Sequence, residues 1–193
     1  MTSSRRALCC TAAVIGVATL VAGCQGGGST SAGGSTQAAA TSAIAPDAPT
    51  GFDGCKLPQS VIDSEHLGSD PDRSDSAGDG GIKWRGCIWV ADNGDGYGAN
   101  IRTTNITIPA IQANKAFTIA ETLSIDGRQA VTYHQTGQTD LHKTCLLEVE
   151  VKGGGLEISI SNAETNTATG TQASCDIAKR LAGKLVPTFG PAA

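Results

Sequence analysis

Polar and apolar positions alternate most regularly in the C-terminal half of the chain. Cys145, Leu147, Val149 and Val151 fall on one side of an extended segment, and Leu146, Glu148, Glu150 and Lys152 on the other. Leu156, Ile158 and Ile160 alternate in the same way with Glu157, Ser159 and Ser161. Each segment is expected to bury one face and wet the other, with Gly153-Gly154-Gly155 joining them. Residues 118–125 and 128–135 flank Asp126-Gly127, a two-residue hairpin signal. Residues 83–90 form a strand around Trp84, Cys87, Ile88 and Trp89, Asp92-Asn93-Gly94-Asp95-Gly96 is a turn, and residues 97–108 are a second strand. The period then changes near the end. Ile177, Leu181 and Leu185 recur every fourth residue among Lys179, Arg180 and Lys184, which predicts a helix over 175–186 that Pro187 stops. Residues 57–68 read as a short helix with Pro58 in its first turn and Gly68 as its stop. Residues 109–117 read as another short helix, and the polar stretch 69–81 as a surface loop. Together these elements predict an α+β fold: one antiparallel β-sheet packed by a short N-terminal helix and a C-terminal helix. No repeat of solenoid period is present.

The first quarter of the chain follows other rules. Arg5 and Arg6 precede an apolar run from Ala7 to Leu20, broken only by Thr11 and Thr19. That run is shorter than the ~20 residues a membrane span needs, so residues 1–23 are expected to be an export signal. The run ends in Leu20-Val21-Ala22-Gly23-Cys24, which resembles a lipobox. In that motif small residues admit the signal peptidase, and the cysteine thiol accepts a diacylglyceryl group. Cys24 is therefore the expected mature N-terminus and lipidation site, holding the chain at the extracytoplasmic face of the cell membrane. Ser4-Arg5-Arg6-Ala7-Leu8 also resembles a twin-arginine motif, but paired arginines occur in general secretory signals too, so the export route stays open. Residues 25–50 are nearly all Gly, Ser, Thr, Ala and Gln, with Pro46 and Pro49 near the end. Too few large apolar side chains are present to offset the entropy of ordering, so 24–50 is expected to be a flexible tether and 51–190 a single globular domain.

Charge narrows the partners. Removing the signal takes away Arg5 and Arg6 but no acid, so twelve bases face eighteen acids and the mature chain carries −6, against −4 for the precursor. An acidic domain repels phosphate backbones, and aromatic residues are only 4% of the chain, too few for a stacking platform, so nucleic acid is not an expected partner. The cysteines sort by position. Cys9 and Cys10 lie in the signal, Cys24 is the lipid site, and Cys55, Cys87, Cys145 and Cys175 lie in the domain. An even number in an exported chain implies disulfides, and four cysteines permit three connectivities. The favoured pairs are Cys55–Cys87, which would tie the N-terminal helix to the first strand, and Cys145–Cys175, which would tie a core strand to the C-terminal helix. A zinc site is disfavoured because no pair has the close C-x-x-C spacing.

Catalytic signals are weak. There is no Gly-x-Ser-x-Gly elbow, and nothing local brings His66, His134 or His142 to a particular serine. The Asp92 turn begins like a calcium loop, but its twelfth position is Thr103 rather than a glutamate. Asp70, Asp72, Asp75 and Asp79 read as solvated loop charge. Asn105-Ile106-Thr107 matches a glycosylation sequon of little consequence in a bacterial lipoprotein. Neither a catalytic residue nor a metal or other cofactor is expected. Trp84 and Trp89 have opposite strand parity, so one is expected in the core and one outward. Trp84, Trp89 and Tyr97 are the candidate binding residues, on an edge flanked by the acidic loop 70–79.

Phe52-Asp53-Gly54-Cys55-Lys56-Leu57 opens the domain. Cys87-Ile88-Trp89, Gly127-Arg128-Gln129-Ala130, Cys145 in its strand and Cys175-Asp176-Ile177-Ala178 follow in order. With the lipobox, this pattern resembles the secreted lipoproteins of an actinobacterial domain-of-unknown-function family, common in mycobacteria and nocardiae. The resemblance implies a lipid-anchored, disulfide-bonded α+β domain and no established reaction, and it supplies no catalytic residues. The expected function is a non-catalytic binding, sensor or accessory module for an envelope protein or small ligand. The alternatives are a lipid or glycolipid carrier with an apolar cavity between sheet and helices, and an envelope hydrolase.

Overall fold

The computed structural model describes residues 44–189. The export signal, Cys24 and the tether up to residue 43 lie outside the described residues. Eight strands form one antiparallel sheet: β1 (Asp72–Arg73), β2 (Ser76–Ala77), β3 (Lys83–Val90), β4 (Gly98–Thr104), β5 (Phe117–Ile125), β6 (Arg128–Gln135), β7 (Thr144–Val151) and β8 (Gly154–Ser161). Their order across the sheet is β1-β3-β4-β8-β7-β6-β5, with β2 also paired to β3. Three helices accompany it: α1 (Gln59–Ser64), α2 (Ile108–Ala113) and α3 (Ser174–Leu185). The antiparallel sheet, the C-terminal helix and both favoured disulfides are present. The fold is nonetheless richer in sheet than an even α+β mixture, since α1 and α2 are six residues each.

The expected local signals produce the expected elements. Asp126 and Gly127 take φ of 49° and 77°, the left-handed pair that a tight hairpin turn needs between right-twisted strands. Ile177, Ala178, Leu181, Ala182 and Leu185 form the buried stripe of α3. It packs with Leu147, Val149, Leu156, Ile158 and Ile160 from β7 and β8 into the main core. Removing that apolar surface from water, at roughly 25 cal/mol per Å2, is the main driving force. Cys55–Cys87 fixes the segment before α1 to β3, and Cys145–Cys175 fixes β7 to the first turn of α3.

Several expectations are corrected. The stretch 69–81 is not simply a loop, because β1 and β2 pair with β3 along it. Their residues are exposed and none is large and apolar, so the pairing rests on backbone bonds and on the Asp75 carboxylate, which accepts the Gly86 N–H at 3.0 Å. The α1 helix stops at Ser64 rather than running to Gly68. His66 turns left-handed at φ 54°, Leu67 bridges to Ala91, and the Gly68 N–H reaches the Val90 carbonyl. The strand expected over 97–108 ends at Thr104. The packed unit also takes in residues assigned to the tether: Ala48 is buried, Asp47 pairs with Arg85, and the Ala45 carbonyl accepts from Asn105.

The largest correction concerns the wet face of β7 and β8. Glu148 is 0% exposed and Glu157 is also buried. After β4 the chain crosses this face, and Ile106, Ile108 and Ile111 form a second apolar cluster there with Val131 and Tyr133. The sheet is therefore covered on one face by α3 and over half of the other by α2.

Candidate functional site

Two surfaces bring polar chemistry together. The first is a cleft of about 500 Å3 between the end of α1, the turn after β3, and α3. Glu65 is its buried centre. Arg180 donates to it through Nε and Nη2 at 3.0 Å each, Lys184 Nζ lies 2.6 Å away, and the Tyr97 hydroxyl donates at 2.8 Å. Burial alone would raise the Glu65 carboxyl, but these hydrogen bonds outweigh it and hold the group below the usual carboxylate range. Burial, with Glu65 as acceptor, pushes the Tyr97 hydroxyl well above its ordinary value.

The same cleft places Ser64, His66 and Asp92 together, the residue types of a hydrolytic triad. Their bonds do not make one. Ser64 Oγ accepts from Lys184 Nζ at 2.9 Å, and the same Nζ pairs with Glu65 at 2.6 Å. The lysine thus stands as a donor to both and is not placed as a base for the serine. His66 Nδ1 lies 3.2 Å from Asp92 Oδ1, but no hydrogen bond joins His66 to Ser64 among the described residues. The left-handed backbones of His66 and Asp92 are held by the Asp92 N–H to His66 carbonyl bond at 2.9 Å. The cleft is thus a clamp between α1 and α3.

The second surface is the sheet face away from α3, which the strand register orders into rows. One row runs Gly86, Arg102, Glu157, Glu148, Val131 from β3 to β6. It is the row beneath the α2 cover. Arg102 pairs with Glu157, and Glu157 also accepts from the Trp84 indole at 3.1 Å and the Tyr133 hydroxyl at 3.4 Å. Glu148 lies directly opposite Glu157, yet both of its carboxyl oxygens lack a hydrogen-bond partner among the described residues. Its carboxyl occupies the space over Gly155, where any Cβ would collide with it. Burial first, and the neighbouring Glu157 charge second, push the Glu148 carboxyl well above the usual range, only partly opposed by Arg102. Two carboxylates facing each other in an apolar site cannot both ionise cheaply, so Glu148 keeps its proton.

The next two rows are different. Ile88, Asn100, Ser159 and Leu146 form one, and Val90, Gly98, Ser161 and Thr144 the other. Here Ile88 is 39% exposed and Val90 is 41% exposed. At the β6–β7 side the rows open into a groove of about 560 Å3, walled by Tyr133, Gln135, Gln138, Thr144 and Leu146.

The sequence candidates fall in different places. Trp89 is 2% exposed and donates its indole N–H to the Gly54 carbonyl at 2.7 Å, and Tyr97 is buried against Glu65, so both are packing residues. Trp84 is the outward tryptophan of the pair, half-buried with Arg102 over its ring at 5.3 Å. His134 and His142 each meet a backbone carbonyl and do not converge with His66. No group of three or more His, Cys, Asp or Glu able to hold a metal occurs among the described residues. Asn105 of the sequon is buried, with its amide bonded to Ala45, Gly81 and Lys83, so it is closed to modification in the folded domain. Sequence reasoning missed Glu65, Arg102, Glu148, Glu157 and Arg180. The one available signal was the apolar set Ile106, Ile108 and Ile111 at the exit of β4, which needed a face to cover.

Fold and surfaces together define a sheet-rich domain stapled by two disulfides, without an assembled catalytic constellation among the described residues. The chain belongs to the family of proteins of unknown function DUF3558, whose model matches residues 19–188. No curated relative and no solved structure matches it. No helix among the described residues is long and apolar enough to cross a membrane.

Proposed function

We propose that the chain is a lipid-anchored lipoprotein of the actinobacterial cell envelope, held through Cys24 at the extracytoplasmic face, and that its domain is a non-catalytic binding module. The single observation that carries the binding reading is the uncovered half of the sheet face, where Ile88 and Val90 stand exposed beside an open groove. A monomer with no use for that face would gain by covering or charging it. The polar cleft supports the non-catalytic part, since its serine, lysine and histidine are each bonded in ways that leave no activated nucleophile. The disulfides agree with export to an oxidising compartment. The anchor rests on the lipobox-like Leu20–Cys24 segment.

The carrier alternative keeps one supporting feature: a groove of about 590 Å3 at the root of the tether, lined by Ala48, Pro49, Phe52, Val151 and Phe189. It lies at the surface and not between the sheet and α3, where Leu147, Leu156, Ile158, Ile177 and Leu181 are fully enclosed. Photocrosslinking in the native cell tests the binding reading. A photoreactive residue at Ile88 is expected to give discrete adducts, and one at Lys179 on α3 is not. Adducts from neither position, or equally from both, would overturn it.

A further inference from the structure

Building on that binding reading, we infer that the open half-face is a docking platform for an amphipathic polypeptide segment that sets Lys or Arg beside apolar side chains. The platform is built from the two open rows across β3, β4, β8 and β7. Small and polar side chains floor it: Gly98, Asn100, Ser159 and Ser161. Ile88 and Val90 rise at one side, and Leu146 lies at the mouth of the groove on the other. A flat floor with apolar side chains at its margins is the surface against which a helix or strand lays an apolar stripe. The molecule already uses its sheet in this way, under α3 on one face and under α2 on the covered half of the other.

The charges select the partner. Asp72 sits opposite Ile88 in the β1–β3 register, so it extends the Ile88 row outward, and exposed Asp70 lies just before it. Neither enters an ion pair among the described residues. The nearby cations are committed: Arg73 to Asp75, Lys143 to Asp140 and Arg102 to Glu157. Lys115 stands at the far corner, where its carbonyl accepts from Thr136. Beside Ile88 and Val90 the platform is therefore acidic, with Asp70 and Asp72 free of ion pairs among the described residues, whereas at the opposite margin Asp140 and Glu164 both face Lys143. A partner would lay a basic side chain over Asp70 and Asp72 and an apolar one on Ile88 and Val90. At the other end of β3, Asp47 meets Lys83 and Arg85, so those two cations are also committed.

A designed Leu/Lys amphipathic helical peptide is the probe, added to the mature chain (residues 24–193) with its Ile, Leu and Val methyls labelled for NMR. The Ile88, Val90 and Leu146 methyls are expected to shift, while a Leu/Glu peptide of the same pattern leaves them unmoved. Asp72→Lys is expected to weaken binding about tenfold, the scale of one favourable charge contact turned repulsive. Ile88→Ser, a change at an exposed site that leaves the core intact, is expected to weaken it comparably. Equal binding of both peptides, shifts confined to other surfaces, or affinity within twofold after Asp72→Lys would overturn the inference. Adducts at Ile88 in cells without any response to the Leu/Lys peptide would refute the partner class and leave the binding reading standing. A peptide response without adducts would do the reverse.

Discussion

Replacing Glu148 with glutamine should remove a pH dependence that the wild-type domain carries. Glu148 is enclosed beneath α2, opposite Glu157, with no donor to either carboxyl oxygen among the described residues. The groups facing it are Glu157 and Arg102 on the neighbouring strands and Tyr133 on β6, while α2 contributes no titratable side chain. The folded domain therefore favours the neutral acid, and its carboxyl lies above the ordinary value of 4.5. In the unfolded chain the proton leaves near that ordinary value. Above it the folded state binds more protons than the unfolded one, so stability falls as pH rises, until the folded group itself ionises. The slope is up to about 1.4 kcal/mol per pH unit. The loss accumulates upward from the ordinary carboxylate value at no more than that slope, and it is drawn from the ~5–15 kcal/mol that holds a domain together. Glu148→Gln preserves shape and cannot titrate. Urea unfolding followed by tryptophan fluorescence at pH 5, 6 and 7, with disulfides intact, should show the variant gaining on wild type steadily as pH rises. Carboxylates remote from the site are common to both proteins and cancel in the difference, leaving Glu148 and the Glu157 that faces it. Parallel stability curves for the two proteins would refute the reasoning.

Glu65 should behave with the opposite sign. Its folded value is lowered, so its contribution is present above the ordinary carboxylate value and is lost as pH falls through the folded one. Glu65→Gln is expected to destabilise at pH 7 and to flatten the acid limb of a thermal-melt series. Trp89→Ala should cost about 3–5 kcal/mol, since it empties a core site and frees the Gly54 carbonyl. Trp84→Ala should cost about 1–2 kcal/mol, chiefly the lost indole bond to Glu157, and denaturant melts of the pair separate the two. Replacing Cys145 and Cys175 together by serine should cost about 3–4 kcal/mol in denaturation midpoint experiments, because the bridge closes a loop with a sequence separation of 30.

Much of the fold is local and could be read directly. The alternation of β7 and β8, the Asp126-Gly127 turn and the four-residue stripe of α3 each lie within one short window of sequence, and each forms. Three disulfide pairings were open in the sequence, and the favoured one, Cys55–Cys87 with Cys145–Cys175, is the one present. Strand order was not legible: β4 lies beside β8 only because the whole β5–β8 meander folds back to it. Alternation also says which side chains share a face but not what lies above that face. Glu148 and Ser159 carry the same parity signal, yet one is sealed beneath α2 and the other borders an open groove. The Glu65–Arg180 clamp joins residues 115 positions apart, and neither end is unusual in its own neighbourhood. The β1 and β2 strands escaped because two exposed residues each leave no hydrophobic period.

The proposed lipid anchor would decide where the domain can meet a partner. The mass of the mature N-terminal peptide, isolated from native membranes, tests that most directly. The account predicts a peptide that begins at Cys24 and carries diacylglyceryl and further acyl mass, with Cys24→Ala giving soluble or unprocessed protein. An unmodified N-terminal peptide, or membrane retention unchanged by Cys24→Ala, would contradict it.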